Sequence, residues 1–321
     1  MEKKRIVIID GNAIIHRAYH ALPKLTTKSG KVVNAVYGFL LILFKVLKDF
    51  RPDFVIVAFD FPAPTFRDKI YKEYKAKRKK APDELYEQIP EVKKILRAFG
   101  IKFFELKGFE ADDLIGTIVK LVERKQIFPK IEAIIATGDL DALQLIDSHT
   151  KVLLLKRGIK EAVLYDEEKV KERYQIEPKQ LIDFKALRGD PSDNIPGVSG
   201  IGEKTAINLI KEFGSLENLY KEIEGNHDVT KKISPRLREQ LIRSKEDAFF
   251  SRKLVEIKRN APINFDLKEC AINKKNLSGA KKILEEFEFF SLVKRLPEIF
   301  NSENKKEHPS GKSEPIQQKL I

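Results

Sequence analysis

Cysteine is almost missing from this chain of 321 residues, where Cys270 stands alone. A single thiol excludes an internal disulfide and every thiolate-bound metal cluster, and it fits a reducing compartment such as the cytoplasm. Long apolar runs are missing as well. The longest, Ala35–Phe44, is too short to cross a bilayer. The charged start Met1–Arg5 is followed by only Ile6–Ile9 before Asp10, too little apolar sequence for a secretion signal. No internal repeat is visible. Negative charge is in deficit: 61 Lys and Arg against 48 Asp and Glu leave a net charge of +13. That balance favours an anionic partner, nucleic acid first and a membrane surface second. Hydrophobic and charged contents of 42% and 34% describe a globular chain, long enough for one large domain or two ordinary ones.

What is present is a strong alternation. Arg5–Ile9 is apolar and β-branched, which predicts a buried strand ending at Asp10-Gly11-Asn12. Ala35–Lys48 predicts a helix, Phe54–Phe59 a second buried strand ending in Asp60, and Ile101–Leu106 a third strand. Gly108–Asp113 opens a helix running to about Glu123, and Ile131–Ala136 is a fourth strand, followed by Thr137-Gly138-Asp139-Leu140-Asp141. Val152–Leu155 and Ala162–Tyr165 read as a terminal strand pair. Such alternation implies an α/β fold, a mostly parallel central sheet with flanking helices, in which ligands bind beyond the carboxyl ends of the strands. After Tyr165 the chain turns helical, Lys275–Leu296 reads as a last amphipathic helix, and Asn301–Ile321 reads as a polar tail or linker.

This order gathers Asp10, Asp60, Glu110, Asp112, Asp113, Asp139 and Asp141 at one edge of the sheet. Asp190 and Asp193 join them only if the C-terminal half folds back. One acid after a strand is commonly a cap or a turn former, and Asp112 and Asp113 suit the positive end of their helix. Nine acids together repel unless cations neutralise them. With no Cys or His placed among them, the hard-oxygen donors point to Mg²⁺ or Mn²⁺ rather than Zn²⁺. Two such ions about 4 Å apart suit cleavage of a phosphodiester.

Two further stretches bear on a polyanion. Arg67–Lys80 carries eight Lys or Arg against two acids, with Tyr71 and Tyr74 interleaved. A solvated helix face is the usual meaning of such a run. Here it follows Asp60 directly, so its cations stand where they can hold phosphates, and its tyrosines offer faces on which unpaired bases stack. On a helix Lys75 and Arg78 share a face. Gly197–Thr205 follows the paired acids. It misses the nucleotide-binding phosphate loop, because Glu203 separates Gly202 from Lys204-Thr205 and no strand precedes it. It fails as a dinucleotide fingerprint for the second reason. It fits a helix-hairpin-helix element, with Val198 and Ile201 packed inward and the glycine amides turned to a DNA backbone. His16, His20 and His149 are assigned ordinary roles, and Arg17 and Tyr19 either touch the substrate end or pack in the core.

Together, IIDGNAIIHRAYHAL (8–22), NAVYGF (34–39), AFD (58–60), FRDKIYKEYKAKR (66–78), EADDLIGT (110–117), TGDLDALQL (137–145) and LRGDPSDNIPGVSGIGEKTA (187–206) resemble the 5′-nuclease domain of bacterial DNA polymerases I. That family belongs to the flap-endonuclease superfamily with its PIN-like core. The resemblance runs from the first strand to about Leu296. It implies a catalytic core over 1–170 with a helical arch at about 64–90, a helical DNA-binding region over 171–298 with its helix-hairpin-helix at 188–213, and a tail from 299. It implies that Asp10, Asp60, Glu110, Asp112, Asp113, Asp139, Asp141, Asp190 and Asp193 are metal-site acids. Lys75 and Arg78 then steer the scissile phosphate beside Asp60 and Asp139. Arg67, Tyr74, Gly197, Val198, Gly200, Ile201, Gly202, Lys204 and Thr205 then join Lys75 and Arg78 in binding DNA.

Further implications are Mg²⁺ or Mn²⁺ as cofactor, a K⁺ held by carbonyls of the glycine turn, and a 5′ flap, nick or RNA-primer end as substrate. A monomer in the cytoplasm, with a polymerase in cis or in trans, completes the expectation. Many relatives carry a lysine where this chain has Leu140, but both flanking acids are kept. The chain is expected to be either a stand-alone nuclease or the first part of a longer protein. The competing readings are a non-catalytic binder of branched DNA, a PIN-type ribonuclease and, on Gly197–Thr205 alone, a nucleotide hydrolase.

Overall fold

The computed structural model describes residues 4–124, 131–156, 158, 161–225, 233–272 and 276–300. The expected tail from Asn301 and the expected helix start at Lys275 lie outside these residues. Six strands form one sheet: β1 (Lys4–Asp10), β2 (Phe54–Ala58), β3 (Lys102–Phe104), β4 (Ile131–Thr137), β5 (Thr150–Leu155) and β6 (Ala162–Tyr165). Their spatial order is β3-β2-β1-β4-β5-β6. All neighbours are parallel except the last pair, β5 and β6, which is antiparallel. The edge strand β3 is shorter than the expected Ile101–Leu106, since it pairs on one side only.

The first strands are apolar without polar alternation because both faces of the sheet are covered. Ile6 and Ile8 of β1 enter one core cluster and Val7 and Ile9 the other, as period-two geometry requires. In chain order the first helices are α1 (Gly11–Ala21), α2 (Asn34–Phe50), α3 (Phe66–Ile70), α4 (Asp83–Tyr86), α5 (Gln88–Phe99) and α6 (Ala111–Arg124). α1, α2 and α5 cover the face holding Val7 and Ile9. Leu114, Ile115 and Ile118 of α6 cover the opposite face.

Beyond the sheet come α7 (Glu167–Tyr174), α8 (Leu181–Arg188), α9 (Glu203–Phe213), α10 (Leu216–Glu224), α11 (Pro235–Arg243) and α12 (Lys245–Val255). Phe184, Leu187, Leu209, Ile210 and Leu219 of these helices belong to the same core cluster as α6. The helical half therefore does fold back onto the sheet, and shared burial of apolar surface holds it there.

Two expectations need correction. The expected last helix is three: α13 (Leu277–Glu286), α14 (Phe290–Val293) and α15 (Leu296–Phe300). Glu288 sits at φ 59, a left-handed conformation that no α-helix passes through. The expected arch is not helical at its centre. Between α3 and α4 the chain runs as successive turns, with Lys75 at φ 56 and bonds from Tyr74 N to Tyr71 O, Ala76 N to Glu73 O and Arg78 N to Lys75 O. The backbone N–H of Lys75 donates to Asp193 O at 2.9 Å instead of back along the chain. So many cations in so short a stretch would also repel along a continuous helix.

Candidate active site

The acids enter through the strand ends. Asp10 closes β1 and caps α1, accepting from Ala13 N at 3.0 Å. Its other oxygen accepts from Thr137 Oγ1 at 2.7 Å, the last residue of the neighbouring β4. Thr137 Oγ1 accepts in turn from Asp139 N, and Asp139 Oδ1 accepts from Asp141 N. Asp60, two residues past β2, accepts from Ala111 N at the start of α6 and so sits beside Glu110 and Asp112. β1 and β4 lie side by side where the strand order reverses, the place at which open parallel sheets leave a crevice.

That crevice is a cavity of about 500 Å³. Seven carboxylates line it, from Asp10, Asp60, Glu110, Asp112, Asp139, Asp141 and Asp193. Four Lys or Arg also reach it: Arg17, Arg67, Lys75 and Arg78. Asp190 stands at its margin, tied in by Lys185 of α8, whose Nζ pairs with Asp190 Oδ2 at 2.8 Å and also with Asp141 Oδ1. A chain that is basic overall thus holds a locally acidic cavity.

The protonation behaviour follows from burial first and from crowding of charge second. Burial pushes the Asp10 carboxyl up to about 7, with the charges of Asp60 and Asp139 adding to it and the bonds from Ala13 and Thr137 opposing. Burial, then the charges of Asp10, Asp139, Asp141 and Glu110, drive Asp112 well up. Asp141 rises to about 6 through burial, against the pull of Lys185, whereas Asp190 falls to about 2 because Lys185 and Ser192 outweigh its burial. One ammonium thus serves Asp190 better than the deeper Asp141, which also faces Asp139. Lys185 was not anticipated from the sequence. The only signal was a lysine five residues before Asp190 at the end of a helix.

Among the described residues no group of three or more His, Cys, Asp or Glu stands ready-made around a common ion position. The carboxylates are turned instead onto protein donors: Lys75 Nζ on Glu110 at 2.8 Å, Arg78 Nη2 on Asp193 at 2.5 Å, and Lys185 on the other pair. The donor set still fits Mg²⁺ or Mn²⁺. Its carboxylates are hard oxygen donors, and burial first, then their mutual repulsion, raises Asp10, Asp112 and Asp141. Contrary to expectation, two histidines, His16 and His20, also line the cavity, because α1 starts directly after Asp10.

Three expected residues have different surroundings from those foreseen. Asp113 is 0% exposed and does not line the cavity. Its oxygens take both terminal nitrogens of Arg67 at 2.8 and 3.0 Å, the N–H of Glu110 and the N–H of Lys258. Arg67, expected to touch DNA, is 2% exposed; it also donates to Leu254 O and Glu256 O. It ties the root of the basic stretch to α6 and to the end of α12. Tyr74, expected to stack on bases, is 6% exposed, and its hydroxyl contacts Glu110 and Asp193, each at 3.2 Å. Lys75 and Arg78 do point to one place, but through a turn, not a helix face.

The glycine turn divides in two. Val198 and Ile201 are buried, as expected. Gly197, at φ 65, packs against Gly189, and its N–H donates inward to Ser251 Oγ at 3.0 Å, so this amide is not turned outward. Gly200, Gly202 and Lys204 are exposed and Thr205 is half-buried. α9 starts after Gly202, which has no side chain to cap the first N–H groups. Those groups and the helix dipole favour an anion. The Ser199 carbonyl, within the same turn, accepts from Gln240 Nε2 of α11.

Lys185→Met tests the charge balance. Removing the ammonium that bridges Asp141 and Asp190 leaves two half-buried acids without their shared cation, at a cost of about 3 kcal/mol in metal-free buffer. Urea unfolding with EDTA and with excess Mg²⁺ checks this, the expected deficit being smaller with Mg²⁺.

Comparison with known proteins bears on the family and the fold. Residues 5–175 match the family model of the 5′-3′ exonuclease N-terminal resolvase-like domain, and residues 176–278 match the 5′-3′ exonuclease C-terminal SAM fold. The chain is 42% identical over 294 residues to DNA polymerase I of Caldicellulosiruptor bescii, covering 91% of this chain and 33% of that protein. It is 41% identical over 297 residues to DNA polymerase I of Bacillus subtilis, with 92% and 33% covered. It thus spans about a third of the length of the curated relatives it matches. Among solved structures, the T5 D15 protein co-crystallised with metal ions superposes with a TM-score of 0.65 at 21% identity, covering 93% of this chain and 100% of that one. The catalytic core of Rad2 in complex with DNA substrate gives 0.58 at 20% identity, covering 93% and 91%. Both likenesses are of fold. The two consecutive family matches and the identity to the polymerases establish that the chain belongs to the 5′-3′ exonuclease family.

Proposed function

We propose that this chain is a 5′-3′ exonuclease and 5′-flap endonuclease that hydrolyses DNA phosphodiesters with Mg²⁺, for which Mn²⁺ can substitute. The observation that carries this reading is the convergence of seven carboxylates in one cavity with Lys75 and Arg78 at its wall. A surface that only bound DNA would gain nothing from acids set against phosphates. Asp10, Asp60, Glu110, Asp112, Asp139, Asp141, Asp190 and Asp193 would hold two or more ions. Bound there, such ions supply Lewis-acid stabilisation of the charge that builds on the scissile phosphate.

The chain's own residues do the rest. Lys75 and Arg78 exchange their carboxylate partners for phosphate oxygens and fix the strand over the acids. The exposed amides at Gly200, Gly202 and the start of α9, with Lys204 and Thr205, grip a duplex backbone without reading its sequence. A K⁺ at the glycine turn would add to that grip. The substrates are 5′ flaps, nicks and RNA-primer ends. The proposal extends to a cytoplasmic, nucleoid-associated monomer working with a polymerase in cis or in trans. Among the described residues no helix is long and apolar enough to cross a membrane.

The test is digestion of an end-labelled 5′-flap DNA with Mg²⁺ and with EDTA. Product near the flap junction with Mg²⁺ and none with EDTA is expected. Absence of product at every Mg²⁺ and Mn²⁺ concentration would leave a binding module of the same fold.

A further inference from the structure

The basic turn over the cavity is held by a residue outside the acid set. Asn194 follows Asp193 and adopts φ 59, in the left-handed region where asparagine is one of the few tolerated side chains. Its Nδ2 donates to Glu73 O at 2.8 Å. One residue away, Lys75 N donates to Asp193 O at 2.9 Å. Two hydrogen bonds therefore pin the 73–75 turn, itself left-handed at Lys75, to the 193–194 backbone. That backbone is rigid in its own right. Asp190 and Ile195 exchange both N–H···O bonds at 2.9 Å, and Asp193 N donates to Asp190 O.

We infer that Asn194 is a positioning residue, whose left-handed backbone and side-chain amide hold the Glu73–Arg78 turn so that Lys75 and Arg78 face the acid cavity. This inference rests on the nuclease reading above. Tyr74 anchors the middle of the turn, its ring packed with Ile195, Leu254 and Val255 and its hydroxyl on Glu110 and Asp193, but one anchored ring does not fix the backbone register on either side of it. The turn's peptide groups form no helix, and its exposed cations favour solvent. Charge attraction brings Lys75 and Arg78 toward Glu110 and Asp193, but long flexible side chains do not set a register. Main-chain bonds to a closed loop do. If a phosphate or a metal ion takes the carboxylates away from Lys75 and Arg78, these two bonds remain, and both cations stay within reach of the strand.

Asn194→Gly separates this role from folding. Glycine adopts the same φ without strain, and only the amide is lost. Asn194→Asp keeps the shape but sets an acceptor against the Glu73 carbonyl. Hydrogen exchange of residues 71–80, followed by mass spectrometry in EDTA, reads the turn without requiring activity. The Lys75 amide is expected to exchange about fivefold faster in Asn194→Gly and faster still in Asn194→Asp, with the melting temperature unchanged. Flap cleavage in Mg²⁺ is expected to lose about tenfold in kcat with KM within twofold, because cations are misplaced while the duplex grip is intact. Unchanged exchange in both variants overturns the inference, whatever the activity does. Lost turnover with unchanged exchange also overturns it. Faster exchange in a protein whose parent cuts no DNA would sustain the hold on the turn and sink the nuclease reading instead.

Discussion

Asp139→Ala is expected to lower flap cleavage by about 10³-fold or more while DNA binding stays measurable. Asp139 is the centre of the acid chain. Its N–H meets Thr137 Oγ1, which holds Asp10, and its Oδ1 receives the N–H of Asp141. Its charge helps to raise Asp10, Asp112 and Asp141. Deleting it removes a ligand from the proposed site and the contact that orders Asp141. The exposed amides at the start of α9 lie on a different element and are untouched. Asp190→Ala is expected to match it in cleavage, since it takes away an acid that Lys185 holds ionised. Single-turnover cleavage together with a binding titration in Ca²⁺ checks both. Undiminished cleavage by both variants would refute the metal-site assignment.

Gly197→Ala is expected to destabilise the protein by about 3 kcal/mol or more, far beyond the usual cost of one added methyl. The site has two independent penalties. Its φ of 65 is strained for any residue with a Cβ. The added Cβ would also stand 2.3 Å from Gly189 N, a backbone atom that cannot swing aside as a side-chain tip can. Gly189 N is itself held by its bond to Lys185 O at 2.8 Å, so retreat would break the C-terminal cap of α8. Ser251 Oγ would lose the Gly197 N–H if the turn shifted. Urea denaturation measures the loss, and a change below about 1 kcal/mol would show that the turn has slack. Gly202→Ala is the control, with open space around its Cβ and an extended φ of −89°.

Much of the sheet and most of the acid set were legible in the sequence, for one reason. A strand buried on both faces is an uninterrupted β-branched run, and the residue ending that run sits at the mouth of the crevice. Asp10, Asp60 and Asp139 could therefore be placed from chain order. The basic stretch misled because composition does not carry conformation. Its helix gave way to turns once Lys75 N found Asp193 O, a partner 118 positions along the chain. Asp112 and Asp113 look equivalent in the sequence, yet neighbours on a helix project about 100° apart, so one faces the cavity and the other the buried guanidinium of Arg67.

The sequence by itself determined the local part: strand periods, turn glycines, the identity and order of the oxygen donors, and the excess of positive charge. Only the tertiary structure decided which charge faces which. It set Lys185 between Asp141 and Asp190, buried Tyr74 against two acids, and gave Arg67 to Asp113 in place of a phosphate. The physical reason is range. A backbone period is a property of adjacent residues, whereas the energy of a charged side chain depends on whichever partners and solvent the packed chain brings within a few ångströms of it.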